Sequence, residues 1–202
     1  RPLIPQQTQV DEVLHEELER ASLLRAPQSV LALFPIEEQN FDETIPQKEL
    51  CIALDDVQNP GNLGTITRIA DWFGIDAVFA SKDTVDVFNP KVVQATMGAI
   101  FRVKMHYVDL SPLFELVRKA EGKIFGTFLD GKNMYERDLD SGKVHPSVIV
   151  IGNEANGISD EVAALVSDRL YIPPYPHDSP GSESLNAAIA TAITVAEFRR
   201  RK

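Results

Sequence analysis

The chain has 202 residues, 44% of them apolar and 25% charged, with a formal net charge of −10 and one cysteine. That length supports one substantial core plus a small extra unit, and it excludes two full domains. A lone cysteine excludes an internal disulfide framework; no apolar run reaches membrane-spanning length and no signal-peptide pattern is present, so a cytoplasmic protein is expected. The acidic balance argues against broad, non-specific attraction to nucleic acid, which is driven by a positive field. A local basic surface is still open to Arg68, Lys82, Lys91, Arg102, Lys104 and the terminal "RRRK".

In chain order, residues 1–48 read differently from the rest. "VDEVLHEELERAS" predicts an acidic amphipathic helix, "SVLALFPI" a strand, and "EEQNFDETIPQK" a linker. From Leu50 onward the runs "LCIALDD", "AVFAS", "IFGTFL", "SVIVIGN" and "RLYIP" alternate with helical stretches. This is the pattern of an α/β fold whose mostly parallel sheet is covered by helices. The loops "NPGNLG", "GNEANG" and "PPYPHDSPGSES" follow the first, fourth and fifth runs. In a parallel sheet they would share the carboxyl edge, where such folds place ligands.

In "DVQNPGNLGTITRIADWFG", Asn62 is expected to cap a helix whose apolar face is Leu63, Ile66, Ile69, Ala70 and Phe73. Arg68 falls off that face, beside Thr65 and Trp72. It could hold a phosphate or stabilise charge on an oxygen; the plainer account, taken alone, is a salt bridge to Asp71 or simple solvation. In "VIVIGNEANGIS", Gly152 and Gly157 allow a sharp turn that exposes N–H groups, and Glu154 is a fixed acceptor at a strand tip. An ordinary strand-to-helix turn capped by Ser159 accounts for the same residues. In "SESLNAAIATAITVAEFRR", Ser184 or Ser182 is the expected cap and Asn186 lies in the first turn, above an alanine-rich face of Leu185, Ala188, Ile189, Ala192, Ile193 and Ala196.

Other chemistry has less support. His15, His106, His145 and His177 are widely spaced with no HExxH or Cys/His ligand pattern, so no metal is expected. His177 and Asp178 beside Ser179 invite a hydrolase reading, without a G-x-S-x-G elbow. Neither G-x-G-x-x-G nor a Walker A loop is present.

Together, "NPGNLGTITRIADWFG", "IVIGNEANGIS" and "IPPYPHDSPGSESLNAAIATAI" resemble, in order and approximate spacing, the three motifs of the SpoU or TrmH-like family of RNA ribose methyltransferases in the SPOUT superfamily. The resemblance covers residues 49–202. It implies a parallel α/β domain with a deep C-terminal trefoil knot, a homodimer, S-adenosyl-L-methionine as cofactor, and methyl transfer to a ribose 2′-hydroxyl of RNA, rRNA ahead of tRNA, with no metal and no membrane. The motif residues fall on Asn62, Arg68, Glu154, Ser184 and Asn186 as the catalytic set. Gly152, Asn153, Glu154, Gly157, Ile172, Pro173, Ser184 and Leu185 form the cofactor-binding set. Residues 1–48 resemble the latter part of a small ribosomal-protein-like RNA substrate-binding domain, its front half absent, followed by a linker. The third loop is longer and richer in proline than the family's, and "SLNAA" replaces the commoner "SLNVS". The alternatives are a catalytically inactive RNA-binding or assembly module of the same fold, and a hydrolase using His177 and a nearby serine.

Overall fold

A computed structural model describes residues 8–23, 28–36, 41–137, 139, 146–176 and 184–200. The chain forms two compact units that divide between Glu38 and Gln39. In the first, α1 (His15–Ala21) is shorter than the run that predicts it. It begins at His15 because the Leu14 N–H is taken by the Glu17 carboxylate reaching back at 2.9 Å, a reciprocal start signal. The "SVLALFPI" segment is not a strand: its described residues have no strand pairing, and Val30, Leu33, Phe34 and Ile36 are exposed. A strand is completed by a neighbour that satisfies its backbone, and no described segment does so here.

The second unit is a six-stranded sheet. Its strands are β1 (Leu50–Leu54), β2 (Ala77–Ala80), β3 (Lys104–Tyr107), β4 (Lys123–Asn133), β5 (Ser147–Ile151) and β6 (Asp168–Tyr171). They lie in the order β3-β2-β1-β5-β4-β6, and every pairing is parallel. Helices α2 (Pro60–Trp72), α3 (Pro90–Thr96), α4 (Leu110–Lys119), α5 (Asp160–Ala163) and α6 (Ala187–Arg200) cover it.

Strand alternation divides the core in two. Leu50, Ile52 and Leu54 of β1 face Leu63, Ile66 and Ala70 of α2 and Val195 and Phe198 of α6. Cys51 and Ala53 face Leu113, Phe114 and Val117 of α4 and Val162 of α5. Burial on both faces explains why the strands are uninterrupted apolar runs. Cys51 is an inert buried thiol, pushed up to about 12 by desolvation and then by Glu49.

Three local features depart from the sequence reading. β3, "KMHY", is absent from the apolar runs because it is a short edge strand with Lys104 and Tyr107 exposed. β4 continues past the apolar run to Asn133 through an irregularity between Thr127 and Lys132. Gly131 sits there because a Cβ would lie 2.5 Å from the Leu170 carbonyl carbon. Phe41, in the predicted linker, packs into the second unit with its ring 5.5 Å from Phe79 and 5.7 Å from His106.

The strand order positions the site. β1 and β5 are neighbours, so the loops that leave them run side by side, and α6 packs on both α2 and β5. No described helix is long and apolar enough to cross a membrane.

Candidate active site

The β1–α2 connection is shaped by one asparagine. Asn59 Oδ1 accepts hydrogen bonds from Gly61 N at 2.8 Å and Asn62 N at 3.1 Å, with Pro60 at the first helical position. Asn59, not Asn62, is therefore the helix cap; a proline at the first helical position marks the preceding residue as the cap, and that signal was present in the sequence. Relieved of capping, the Asn62 amide bonds outward. Its Nδ2 donates to Glu154 Oε1 at 2.9 Å, and its Oδ1 accepts from Asn186 Nδ2 at 2.8 Å.

These bonds join all three polar loops. Glu154 also accepts from Asn59 N at 3.1 Å and Gln58 N at 3.2 Å, so its carboxylate grips the start of α2 across the β1–β5 pair. Partial burial alone would raise its pKa; the Asn62 amide and the backbone N–H groups outweigh that and hold the carboxyl below its ordinary value. Asn186 Oδ1 accepts from Ala188 N at 3.0 Å and Ile189 N at 3.3 Å, so Asn186 itself starts α6, the role expected of Ser184 or Ser182. Ser184 is exposed beside it. Ser182, His177, Asp178 and Ser179 lie outside the described residues.

The turn after β5 closes on itself. Asn153 and Gly157 exchange two backbone hydrogen bonds of 2.9 Å, and Gly157 adopts φ +72°. Gly152 is buried, and a Cβ on it would lie 2.2 Å from the Gly157 carbonyl carbon. Only glycine fits there. The Asn153 side chain accepts from Ala155 N and Asn156 N, and its Nδ2 donates to Asp56 O at 2.8 Å and Asp56 Oδ2 at 3.0 Å. Ser159 caps α5 as expected, and its N–H donates to buried Asp55 at 2.7 Å. Sequence reasoning missed Asp55, Asp56, Gln58 and Asn59, whose signal was the polar run directly after an apolar strand.

Arg68 lies outside this network. It is exposed on α2 and has no hydrogen bond or ion pair to a described residue. Asp71, its alternative partner, is held bidentately by Arg102 at 2.8 and 2.7 Å. The guanidinium is thus available to an anion. Of the residues open to a local basic surface, Lys104 lies at the amino end of β3, and Arg199 donates to Phe73 O at 2.8 Å and Gly74 O at 2.7 Å at the far end of α2. Asp55, Asp56, Asp83, Asp109 and Glu161 line an open cleft of about 720 Å³ beside the network, with Lys82 the cation at its rim. Such a cleft repels phosphate, which leaves the Arg68 side of α2 for an anionic ligand.

The residues expected to hold the cofactor lie on the second and third loops. Gly152 is buried against Gly157, Ile172 and Pro173 are half-buried, and Leu185 is exposed just before α6. Exposed and half-buried apolar side chains beside a polar hydrogen-bond network are the kind of lining that takes a flat ring with polar edges. Among the described residues no group of three or more His, Cys, Asp or Glu side chains is placed to hold a metal.

Residues 49–196 match the model of the SpoU rRNA Methylase family. The chain belongs to that family. It is 33% identical over 174 residues to the 23S rRNA (guanosine(2553)-2′-O)-methyltransferase RlmP of Bacillus subtilis, a match covering 86% of this chain and 65% of that protein. A solved TrmH-family structure from Porphyromonas gingivalis superposes with a TM-score of 0.74 at 38% identity, covering 98% of this chain and 74% of that one. The AdoMet-bound rRNA methyltransferase from Sinorhizobium meliloti gives a TM-score of 0.70 at 34% identity, covering 81% and 62%. The chain spans 65%, 62% and 55% of three curated relatives it matches.

Proposed function

We propose that this chain transfers a methyl group from S-adenosyl-L-methionine to a ribose 2′-hydroxyl of RNA, rRNA ahead of tRNA, as a cytoplasmic homodimer. The observation that carries the reading is the Asn186–Asn62–Glu154 chain of hydrogen bonds, which fastens three separate loops at one sheet edge. Gly152, Asn153, Glu154, Gly157, Ile172, Pro173, Ser184 and Leu185 hold the cofactor, within the trefoil knot that the family resemblance implies. The bound cofactor supplies a methyl group on a positively charged sulfur, open to attack by oxygen.

The chain's own residues supply orientation and charge. Arg68, with no carboxylate partner among the described residues, holds an RNA phosphate and stabilises negative charge developing on the ribose oxygen. Asn62, Glu154 and Asn186 fix the loops that align the two substrates, and Ser184 lies next to the Asn186 cap. The dimer reading rests on exposed apolar residues of neighbouring elements: Trp72 of α2 is 85% exposed, Met97 after α3 is 74%, and Ile189 of α6 is 51%. α2 packs on both α3 and α6, so these residues belong to one side of the sheet. Residues 1–48 are read as the latter part of a ribosomal-protein-like RNA substrate-binding domain with its linker.

The test measures methylation of rRNA and tRNA by wild type and Arg68→Ala, with cofactor binding followed by calorimetry. The expected result is unchanged cofactor binding and a rate loss of about 10²–10³, the magnitude of losing one oxyanion-stabilising group. Full activity in Arg68→Ala overturns the assignment of Arg68. Wild type that binds RNA yet never binds the cofactor fits an inactive RNA-binding member of the family instead.

A further inference from the structure

Asp56 is a residue that the family motifs do not assign, yet it ties three loops together. It adopts φ +57°, a left-handed conformation uncommon for a residue other than glycine. Its backbone N–H donates to Ser81 Oγ at 2.9 Å, in the loop after β2. Its Oδ1 accepts from the Gln58 side-chain amide at 2.5 Å, and that amide also donates to Asp83 O. Its Oδ2 and its carbonyl oxygen both accept from Asn153 Nδ2, at 3.0 and 2.8 Å.

The bond to Asn153 matters because of what Asn153 does. Its Oδ1 folds the turn by accepting from Ala155 N and Asn156 N, so the amide group of one side chain both shapes the turn and anchors it. The next residue is Glu154, whose carboxylate meets Gln58 N, Asn59 N and Asn62 Nδ2. Asp56 and Glu154 therefore bind the same two loops from opposite directions. Each oxygen of the Asp56 carboxylate is used, one by Gln58 within the first loop and one by Asn153 in the second.

We propose that Asp56 is a positioning residue for the cofactor site, presetting the Asn153–Gly157 turn through Asn153 and the β1–α2 loop through Gln58. It does so without touching the cofactor. The proposal rests on the S-adenosyl-L-methionine reading above. A preset turn costs less to order on binding, so the loss of Asp56 is felt as affinity.

A purely structural role predicts something different, and the backbone makes the two separable. Glycine adopts the left-handed conformation without strain, so Asp56→Gly keeps the backbone path while deleting both carboxylate bonds. It also removes one charge from a cleft lined by Asp55, Asp83 and Asp109. Folding stability should stay level or rise. Asp56→Asn tolerates the same conformation and keeps one acceptor oxygen.

The experiment compares the melting temperature and the calorimetric Kd for S-adenosyl-L-methionine of wild type, Asp56→Gly and Asp56→Asn. The expected result is about tenfold weaker binding in Asp56→Gly, the scale of one lost hydrogen bond, at an unchanged or higher melting temperature. Asp56→Asn should recover most of the affinity. Equal Kd in wild type and Asp56→Gly overturns the positioning role and leaves the cofactor reading intact; so does weaker binding that comes only with a lower melting temperature. Wild type that fails to bind overturns the cofactor reading itself, and the positioning role with it.

Discussion

Glu154 is charged where partial burial disfavours charge, and its hydrogen bonds, led by those from Asn62 Nδ2, Gln58 N and Asn59 N, outweigh that penalty. A carboxyl held below its ordinary value of 4.5 contributes stability that is complete above that value and is lost as the pH falls through the lower folded value. Glu154→Gln should therefore lower the melting temperature at neutral pH, and the gap from wild type should close in acid; melting curves from pH 7 down to about pH 3 measure it. Gly152→Ala forces a Cβ to within 2.2 Å of the Gly157 carbonyl carbon, backbone that cannot give way. A cost of about 1–3 kcal/mol in denaturant unfolding is expected, together with weakened cofactor binding. At this scale the sequence was legible as residue types and less so as roles. Asn62, Glu154 and Asn186 were identifiable, but Asn62 and Ser184 were given capping tasks that belong to Asn59 and Asn186. A cap depends on where the first helical turn begins, and one residue of uncertainty in that position reassigns it.

Among the elements, α2 shows how close packing decides a substitution. Alanine in place of a helical glycine gains about 1 kcal/mol from intrinsic propensity alone. At Gly64, however, a Cβ would lie 2.4 Å from Ala95 Cβ and 3.0 Å from Val92 O on α3, and overpacking of that kind costs about 1–3 kcal/mol. Gly64→Ala should thus be destabilising overall, with a lowered urea midpoint as the readout. Arg199 closes the other end of α2 by donating to Phe73 O and Gly74 O. Its replacement by alanine should cost about 1 kcal/mol in the same measurement. The strands buried on both faces were readable because apolar runs encode them. β3 and the far half of β4 were not, since an edge position and an irregular register leave no apolar signature. The "SVLALFPI" segment misled for the opposite reason: β-favouring composition does not supply a partner strand.

The whole molecule is acidic, and the charges are unevenly placed: carboxylates crowd one cleft of the sheet edge while Arg68 stands exposed on α2. On the reading that Arg68 holds the RNA phosphate, affinity measured across a salt series should show a small slope. On the dimer reading, Trp72→Glu combined with Met97→Glu should give a folded monomer in sedimentation with an unchanged circular-dichroism spectrum. An unaltered dimer would place the interface elsewhere. The parallel α/β architecture was legible from the alternation of runs; the strand order was not, because the neighbour of β1 is set by packing across the fold and not by adjacency along the chain.

That strand order also governs when the site can come into being. Asn62 follows β1, and β2 and β3, the next strands along the chain, extend the sheet on one side of it, but its partner Glu154 lies 92 residues further on, after the strand on the other side, and Asn186 lies 124. Contacts so distant in sequence close late and slowly, after the loop entropy between them has been overcome. Half of the site is thus carried by the early strands and waits for the late ones. A ligand held by all three loops recognises only the finished fold, and its binding withdraws that state from every incomplete one.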